Sequence, residues 1–506
     1  MAHPNVDKLT AVLESANLLS QLAALSNYDA RTGRPVGGEK DSERRSAFAT
    51  KLAHEAFTSS AVSDALGRCE TATKELSPFE ALLVKRLRLC LNRALALPAD
   101  FVERRNQAHA KATNVWTRAR AEGNFTLFAP ELTHVLTLAK EEAALLGADP
   151  GEPDSISNAL LGQFEPGATT AEVLQVLDDL GEWLGKTIQT ITGAGANRSD
   201  AVLRGCFPTD KQRQLAEYLA TVIGYDFKRG SLAIAAHPFA STICAGDHRI
   251  ATRFYPNYLA AGIFGTAHEA GHAMLEQGAP DLFWGFDNSS MFLSMALHES
   301  QSRLWENMVC RSWSFWKYFY PHLQLMFREF QNVPLEEFYR AINLVRPSGI
   351  RVEADELTYH GHILVRFKIE QLLLSDQISV ADIPDVFANL VEKYVDYRPT
   401  DPKEGALQDI HWGSGYFGYF GTYTLGTLAS AQEFAAFTKI DPEYEADFAT
   451  GKFANLRTWL SGNIYPTGHV DSLNSVLTKA TGEPLTARYW KEYITKKFGT
   501  LYGVSL

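Results

Sequence analysis

The sequence predicts a mainly α-helical protein carrying one small β-sheet, and three observations support that class. Apolar residues recur at helical spacing through most of the chain, as at Val173, Val176, Leu177 and Leu180. The stretch containing them opens on Thr169-Thr170-Ala171-Glu172, the reciprocal Thr/Glu pattern of a capping box. Between Ser231 and Phe254, by contrast, short β-compatible runs flank the turn residues Ala245-Gly246-Asp247 and predict a small antiparallel sheet.

Taken in order, helices are expected near residues 5–26, 41–68, 76–94, 100–121 and 130–147, then from Thr169 onward and over 210–223. Beyond the sheet they are expected near 291–330, 353–374, 428–448 and 470–482, with Asn288-Ser289-Ser290 marking the start of the first of these. Two segments read as irregular: Asp149 to Gly167, rich in Gly, Pro and Asp, and Gly413 to Gly426, where Gly alternates with aromatics. Neither has the composition of a domain linker, and there is no internal repeat. The expectation is one domain spanning 1–506, with two lobes about a deep groove.

Composition excludes several roles. Across 506 residues, 59 acidic side chains outnumber 48 basic ones for a net charge of −11. A nucleic-acid or anionic-membrane partner needs a basic surface, so neither is expected. The five cysteines are scattered and form no C-x-x-C pair, which argues against a disulfide framework or a thiolate metal site. With no basic stretch and apolar core near Met1, and no apolar run long enough for a membrane span, a cytoplasmic location is expected.

The chemistry concentrates in residues 265–277, Gly-Thr-Ala-His268-Glu269-Ala-Gly-His272-Ala-Met-Leu-Glu-Gln, an H-E-x-x-H motif in a helix-compatible context. Histidines four residues apart share one helical face, so both imidazoles can bind one Zn²⁺ while Glu269 takes a proton from water activated there. The bland alternative, two histidines and a glutamate on a surface helix, requires a coincidence of type and spacing. A third ligand is needed. The extended form of the motif fails because Leu275 and Gly278 stand where Gly and His are required. A carboxylate is therefore expected, from Glu276, Glu299 or Glu306. Spacing favours Glu299, since Glu276 prolongs the same helix; the plain reading of Glu299 is an i,i+4 pair with Arg303.

Six ordered motifs make a resemblance specific. They are Ala236-His237-Pro238-Phe239, Gly246-Asp247-His248-Arg249 through Thr252, His268-Glu269-Ala270-Gly271-His272, His298-Glu299-Ser300-Gln301, Ile350-Arg351 through Asp355-Glu356, and Gly405 through Gln408-Asp409-Ile410-His411-Trp412. In this order the chain resembles the Taq-type metallocarboxypeptidases. Looser matches at Tyr28-Asp29, with Arg34-Pro35-Val36-Gly37-Gly38, and at Gln163-Phe164-Glu165-Pro166-Gly167 extend the likeness over nearly the whole chain.

The resemblance implies a helical, homodimeric peptidase that removes single residues from peptides with a free C-terminal carboxylate, using one divalent metal. It makes His268, His272 and Glu299 the metal ligands and Glu269 the general base. Zn²⁺ is the expected ion, with Co²⁺ and Mn²⁺ as alternatives that imidazole and carboxylate also accept. Arg351 is expected to hold the terminal carboxylate, for which its planar fork is suited; a structural ion pair with Glu353 or Asp355 is the plain alternative. His237 and Arg249 are expected to line the substrate sites, against the readings of a structural histidine and an Asp247–Arg249 hairpin staple. Related zinc peptidases place a His and a Tyr about a dozen residues apart to bind substrate and oxyanion, and His411 and Tyr423 have that spacing. The aromatic-glycine segment bearing them is expected to be a mobile wall.

The chain departs from the family pattern at Gly421, where Pro is usual, at Tyr28, where Trp is usual, and at Asn158 to Gly162. Two phosphate-loop lookalikes are rejected. Gly413-Ser414-Gly415-Tyr416-Phe417-Gly418 lies in no βαβ context, and Gly181 to Thr187 is one residue short and sits on a helix. The competing functions are an oligopeptidase or dipeptidase with the same metal site, and a non-catalytic peptide-binding protein with a structural metal. Arg351 separates the first from a carboxypeptidase, and Glu269 separates the second, because a structural site gains nothing from an unligated carboxylate.

Overall fold

The sheet between Ser231 and Phe254 has three strands, β1 (Leu232–Ile234), β2 (Phe239–Cys244) and β3 (Asp247–Thr252), in the order β1-β3-β2. The β2–β3 hairpin is antiparallel as expected, but β1 pairs parallel to β3, so the sheet is mixed. The cause is the segment 235–238. Ala235 still donates to the Thr252 carbonyl at 3.0 Å, and the chain then bends through His237-Pro238 before β2 begins. Proline fixes an extended turn there and prevents β1 from folding back as a hairpin neighbour of β2.

The computed structural model describes residues 2–149, 151–195, 198–286 and 294–506, and helices dominate it, with twenty-one α-helices among the described residues. The capping box is present: Thr169 accepts from Glu172 N, and Glu172 accepts from Thr169 N, at the head of helix Thr170–Ala194. Several expected boundaries shift. The 41–68 stretch is two helices, Glu39–Phe57 and Ser60–Thr71, because Ser59 is extended and its hydroxyl turns back to the Ala56 carbonyl. The stretch expected from 353 starts at Tyr359, where Asp355 accepts from Leu357 N and Thr358 N. The expected start near Asn288, with residues 287–293, lies outside the described residues; from Met295 the chain is helical to Arg303.

Both segments expected to be irregular contain helix. Pro153–Leu161 is helical within the first, and in the second a helix begins at Phe420 and runs to Ile440. Tyr423 therefore sits on the first turn of a helix and not in a loop. Asn158, at one of the departures from the family pattern, accepts from Thr170 N at 2.7 Å and ties the short helix to the next. Gly181 lies inside helix Thr170–Ala194, where a Cβ would stand 2.6 Å from Leu364. It is a packing glycine, which explains the false phosphate-loop pattern.

The chain divides into two compact units, one formed by Met1–Leu95, Ser199–Ile342 and Ala429–Leu485, the other by Ala96–Arg198, Asn343–Leu428 and Thr486–Leu506. In the first, a core including Val6, Leu9, Leu13, Leu66, Leu83 and Phe286 joins the N-terminal helices to the segment after the H-E-x-x-H motif. The motif helix, Ala260–Gln277, packs between the sheet and helix Met295–Arg303. Its contact with the latter is unusually close: a Cβ on Gly271 would lie 2.5 Å from the Gln301 carbonyl oxygen and 2.7 Å from Ser302 Cα. Only glycine permits that approach. Gly271→Ala is expected to lower stability by about 1–3 kcal/mol through overpacking against backbone, measured by thermal or denaturant unfolding.

Candidate metal centre and arginine cluster

The helical spacing of the motif and the close approach at Gly271 bring three side chains together. Ligand-type atoms of His268, His272 and Glu299 lie within 4.8 Å of one another. Glu299 Oε2 is 3.6 Å from His268 Nε2 and 3.4 Å from His272 Nε2. Of the three carboxylates left open by the sequence, the structure thus brings Glu299 to the histidines. Glu306 and Glu276 take other places.

Each histidine has its second nitrogen engaged, which fixes its ring. His268 Nδ1 donates to Glu306 Oε2 at 2.9 Å, and His272 Nδ1 donates to the His298 carbonyl at 3.0 Å. Both Nε2 atoms are thereby turned toward Glu299, the tautomer a metal requires. Glu306 reaches His268 from a π-helical turn, Leu304–Val309, which follows directly on helix Met295–Arg303. Wider turns of this kind re-aim side chains at functional sites. The other oxygen of Glu299 accepts from Arg303 Nε at 2.7 Å, so the pair expected at i,i+4 forms as well, without removing Glu299 from the histidines. Arg303 and Arg311 also reach Glu306, at 3.4 and 3.3 Å.

Electrostatics follows from burial and these partners. Burial opposes ionisation of Glu299, but Arg303 and His268 hold its carboxyl well below the usual range. Burial likewise works against Glu306, and His268, Arg303 and Arg311 bring it down to about 2. His272 is pushed down to about 3, chiefly by burial and then by His298, so it is a neutral imidazole. Glu269 behaves differently. Burial pushes it up to about 7, and among the described residues it makes no hydrogen bond or ion pair. Two imidazoles whose Nε2 atoms face one ionised carboxylate form a donor set suited to a divalent cation, with the Glu269 carboxyl beside it.

Behind this cluster Glu433, wholly buried, lies 3.0 Å from Ser300 Oγ and accepts from Gln301 Nε2 at 2.8 Å. Ser300 Oγ also contacts the Leu297 carbonyl at 2.7 Å and receives Gln301 Nε2 at 2.9 Å. A hydroxyl has one hydrogen; with it on Leu297, the contact to Glu433 needs the proton on the carboxyl. Burial pushes Glu433 up to about 8, in agreement.

The residues expected to bind substrate fall in two places. His237 is exposed in the bend between β1 and β2, while the adjacent Pro238 packs against Gly265 of the motif helix. Arg249 forks onto Asp247 at 2.8 and 2.6 Å and covers the Tyr28 ring at 4.8 Å, so the hairpin staple is present. Arg31, a residue that the sequence reading overlooked, lies with its guanidinium 3.4 Å from the centre of the Phe239 ring.

In the second unit Arg351 is buried in a cluster of its own. Its Nε and Nη2 donate to Asp409 Oδ1 at 3.1 and 2.8 Å, its Nη1 donates to Tyr359 at 3.3 Å, and its backbone N–H is held by Gln408. Neither Glu353 nor Asp355 is its partner. Asp409 also takes Arg366 Nε at 2.5 Å, so one carboxylate orients two guanidinium groups. His411 Nε2 lies 3.4 Å from the Tyr423 hydroxyl, and burial, outweighing the pull of Asp409, lowers His411 to about 4. Hydrogen bonds and ring packing tie the segment carrying them to other elements of its unit. Glu370, wholly buried, accepts from Trp412 Nε1 at 2.8 Å and from Gly418 N at 3.0 Å. Phe164 packs edge-on against Tyr416 and Tyr419. Gly421 lies in the helix, where a Cβ would stand 3.0 Å from Phe367 and from Val173.

Comparison with known proteins identifies the family. The family model described as carboxypeptidase Taq (M32) metallopeptidase matches residues 8–498. The chain belongs to that family of metal-dependent carboxypeptidases. It is 38% identical over 493 residues to thermostable carboxypeptidase 1 of Thermus thermophilus, covering 96% of each chain. To carboxypeptidase 1 of Bacillus subtilis it is 33% identical, with 97% of each covered. The crystal structure of an M32 carboxypeptidase from Deinococcus radiodurans superposes with a TM-score of 0.93 at 33% identity, over 99% of this chain and 100% of that one. The protein is thus a metallopeptidase whose family implies a divalent metal and peptide substrates.

Two outcomes are expected. Glu306→Gln, which weakens the hold on His268 Nδ1, should lower metal affinity roughly tenfold to a hundredfold in chelator competition. Glu433 keeps a proton in the fold that the unfolded chain releases above about pH 4.5, so stability falls as pH rises from there toward about 8. Glu433→Gln, which reproduces the neutral hydrogen-bonding pattern, should flatten that slope in denaturant unfolding across this range and raise stability at its alkaline end.

Proposed function

We propose that the protein releases single amino acids from the C-terminus of peptides, with His268, His272 and Glu299 holding one divalent metal and Glu269 acting as general base. The observation that carries the reading is the convergence of the three ligand-type side chains beside a buried glutamate that, among the described residues, makes no hydrogen bond or ion pair. A bound cation would polarise the scissile carbonyl and make water at the site more acidic. Glu269 accepts the proton as the water oxygen bonds to the carbonyl carbon. It then delivers that proton to the amide nitrogen as the C–N bond breaks. A carboxyl whose affinity for protons is raised toward neutral pH is suited to both halves of that transfer.

Arg351 holds the terminal carboxylate of the substrate, oriented for this by Asp409, which fixes one edge of its guanidinium. His411, neutral at physiological pH, and Tyr423 supply hydrogen bonds to substrate and to the developing oxyanion. His237 and Arg249 line the substrate sites beside the motif helix. The reading takes Zn²⁺ as the ion on the basis of the two imidazoles and one carboxylate, with Co²⁺ or Mn²⁺ as substitutes. It further takes residues 1–506 as one catalytic domain working as a cytoplasmic homodimer. The single family model running through both compact units supports the one-domain view, and among the described residues no helix is long and apolar enough to cross a membrane.

The test follows release of the last residue from blocked dipeptides and tripeptides with free or amidated C-termini, before and after chelation and metal restoration. Chelator-sensitive release confined to free carboxylates is expected. Glu269→Gln should lower kcat by roughly 10²–10⁴-fold with metal content unchanged. Arg351→Ala should abolish the preference for the free carboxylate. Equal cleavage of amidated peptides by the unmodified enzyme would reassign it as an oligopeptidase.

A further inference from the structure

One layer behind the metal cluster, an imidazole and a carboxylate join the two helices that carry its ligands. Glu276 stands one turn after His272 on the motif helix, and His298 immediately precedes Glu299. Their side chains meet, with His298 Nε2 at 3.3 Å from Glu276 Oε1. The other oxygen of Glu276 lies 3.3 Å from Nε2 of His469, whose side chain is 2% exposed. His298 also touches His272 twice. Its ring stacks on that of His272 with centroids 4.1 Å apart and planes 14° apart, and its carbonyl accepts the His272 Nδ1 hydrogen.

Burying a carboxylate at this depth is costly unless its oxygens are engaged, and here both face imidazole nitrogens. Burial opposes its ionisation, while His469 and His298 hold the Glu276 carboxyl well below the usual range. The arrangement is not a second cation site: among the described residues the one converging group of three His, Cys, Asp or Glu side chains is His268, His272 and Glu299.

We propose that Glu276 is a positioning residue for the metal centre, gripping His298 so that the motif helix is stapled to the helix of Glu299 and the His272 ring is held in place. The inference rests on the reading of His268, His272 and Glu299 as ligands. The staple joins a point one turn beyond one ligand to the residue adjoining another. A shift of a few tenths of an ångström there is transmitted to the ligand atoms themselves, and partners of ligands at this remove typically matter tenfold or more for metal affinity.

The test loads the metal-free full-length protein with Co²⁺ and reads affinity by chelator competition and ligand geometry by the visible absorption bands. Glu276→Gln should weaken Co²⁺ binding roughly tenfold to a hundredfold and alter those bands, in protein whose far-ultraviolet circular dichroism matches that of the unmodified chain. His298→Phe keeps a ring against His272 but removes the nitrogens that face Glu276, and should reproduce both changes; if one variant does not fold, the other decides. His272→Ala is the control on the ligand reading and should abolish binding. Wild-type binding by His272→Ala would overturn that reading. Loss of binding in His272→Ala with unchanged affinity and bands in the other two would overturn the staple, as would a lowered melting temperature in them with unchanged bands.

Discussion

The approach of two helices at Gly271 is the constraint on which the convergence of His268, His272 and Glu299 depends. The helix bearing Glu299 can touch the motif helix backbone-to-side because residue 271 has no Cβ. A methyl group there would meet the Gln301 carbonyl at less than van der Waals distance, and Glu299 would be levered away from both histidines. Gly271, one of the motif's two middle positions, is thus not a spacer: it sets the distance between His272 and Glu299.

Charge is handled in both units by the same device, a buried carboxylate shared between two groups. Glu306 lies between His268 and a pair of arginines, Glu276 between His298 and His469, and Asp409 between Arg351 and Arg366. Each shared carboxylate is stable at depth because it is multiply paired, and each fixes the orientation of the side chains it joins. Glu433 and Glu370 solve the same problem differently, with uncharged hydrogen-bond partners, and both are pushed up to about 8. The acid groups near the chemistry are therefore sorted into ionised holders and protonated supports.

Much of this was legible in the sequence. The helical class, the capping box at Thr169, the hairpin after Pro238 and the pairing of H-E-x-x-H with Glu299 follow from periodicity, turn chemistry and ordered motifs. What was not legible is long-range. Asp409 as the partner of Arg351, 58 residues away, and Glu370 as the anchor of the Trp412–Gly418 segment depend on which helices meet, which local pattern does not encode. The parallel placement of β1 escaped because strand signals specify existence and not order. Glycines and aromatics from 413 to 426 read as a loop because helix propensity there is low; burial against Phe367 and Val173 overrides it.

The π-helical turn over Leu304–Val309 has a consequence for anyone who would transplant this centre into another scaffold. A regular helix continued past Arg303 would rotate residue 306 away from the bearing that lets its carboxylate meet His268 Nδ1. A graft that copies the two histidines and Glu299 onto ideal helices would carry every residue of the cluster and still leave one imidazole free to spin. The irregularity has to be inherited along with the side chains.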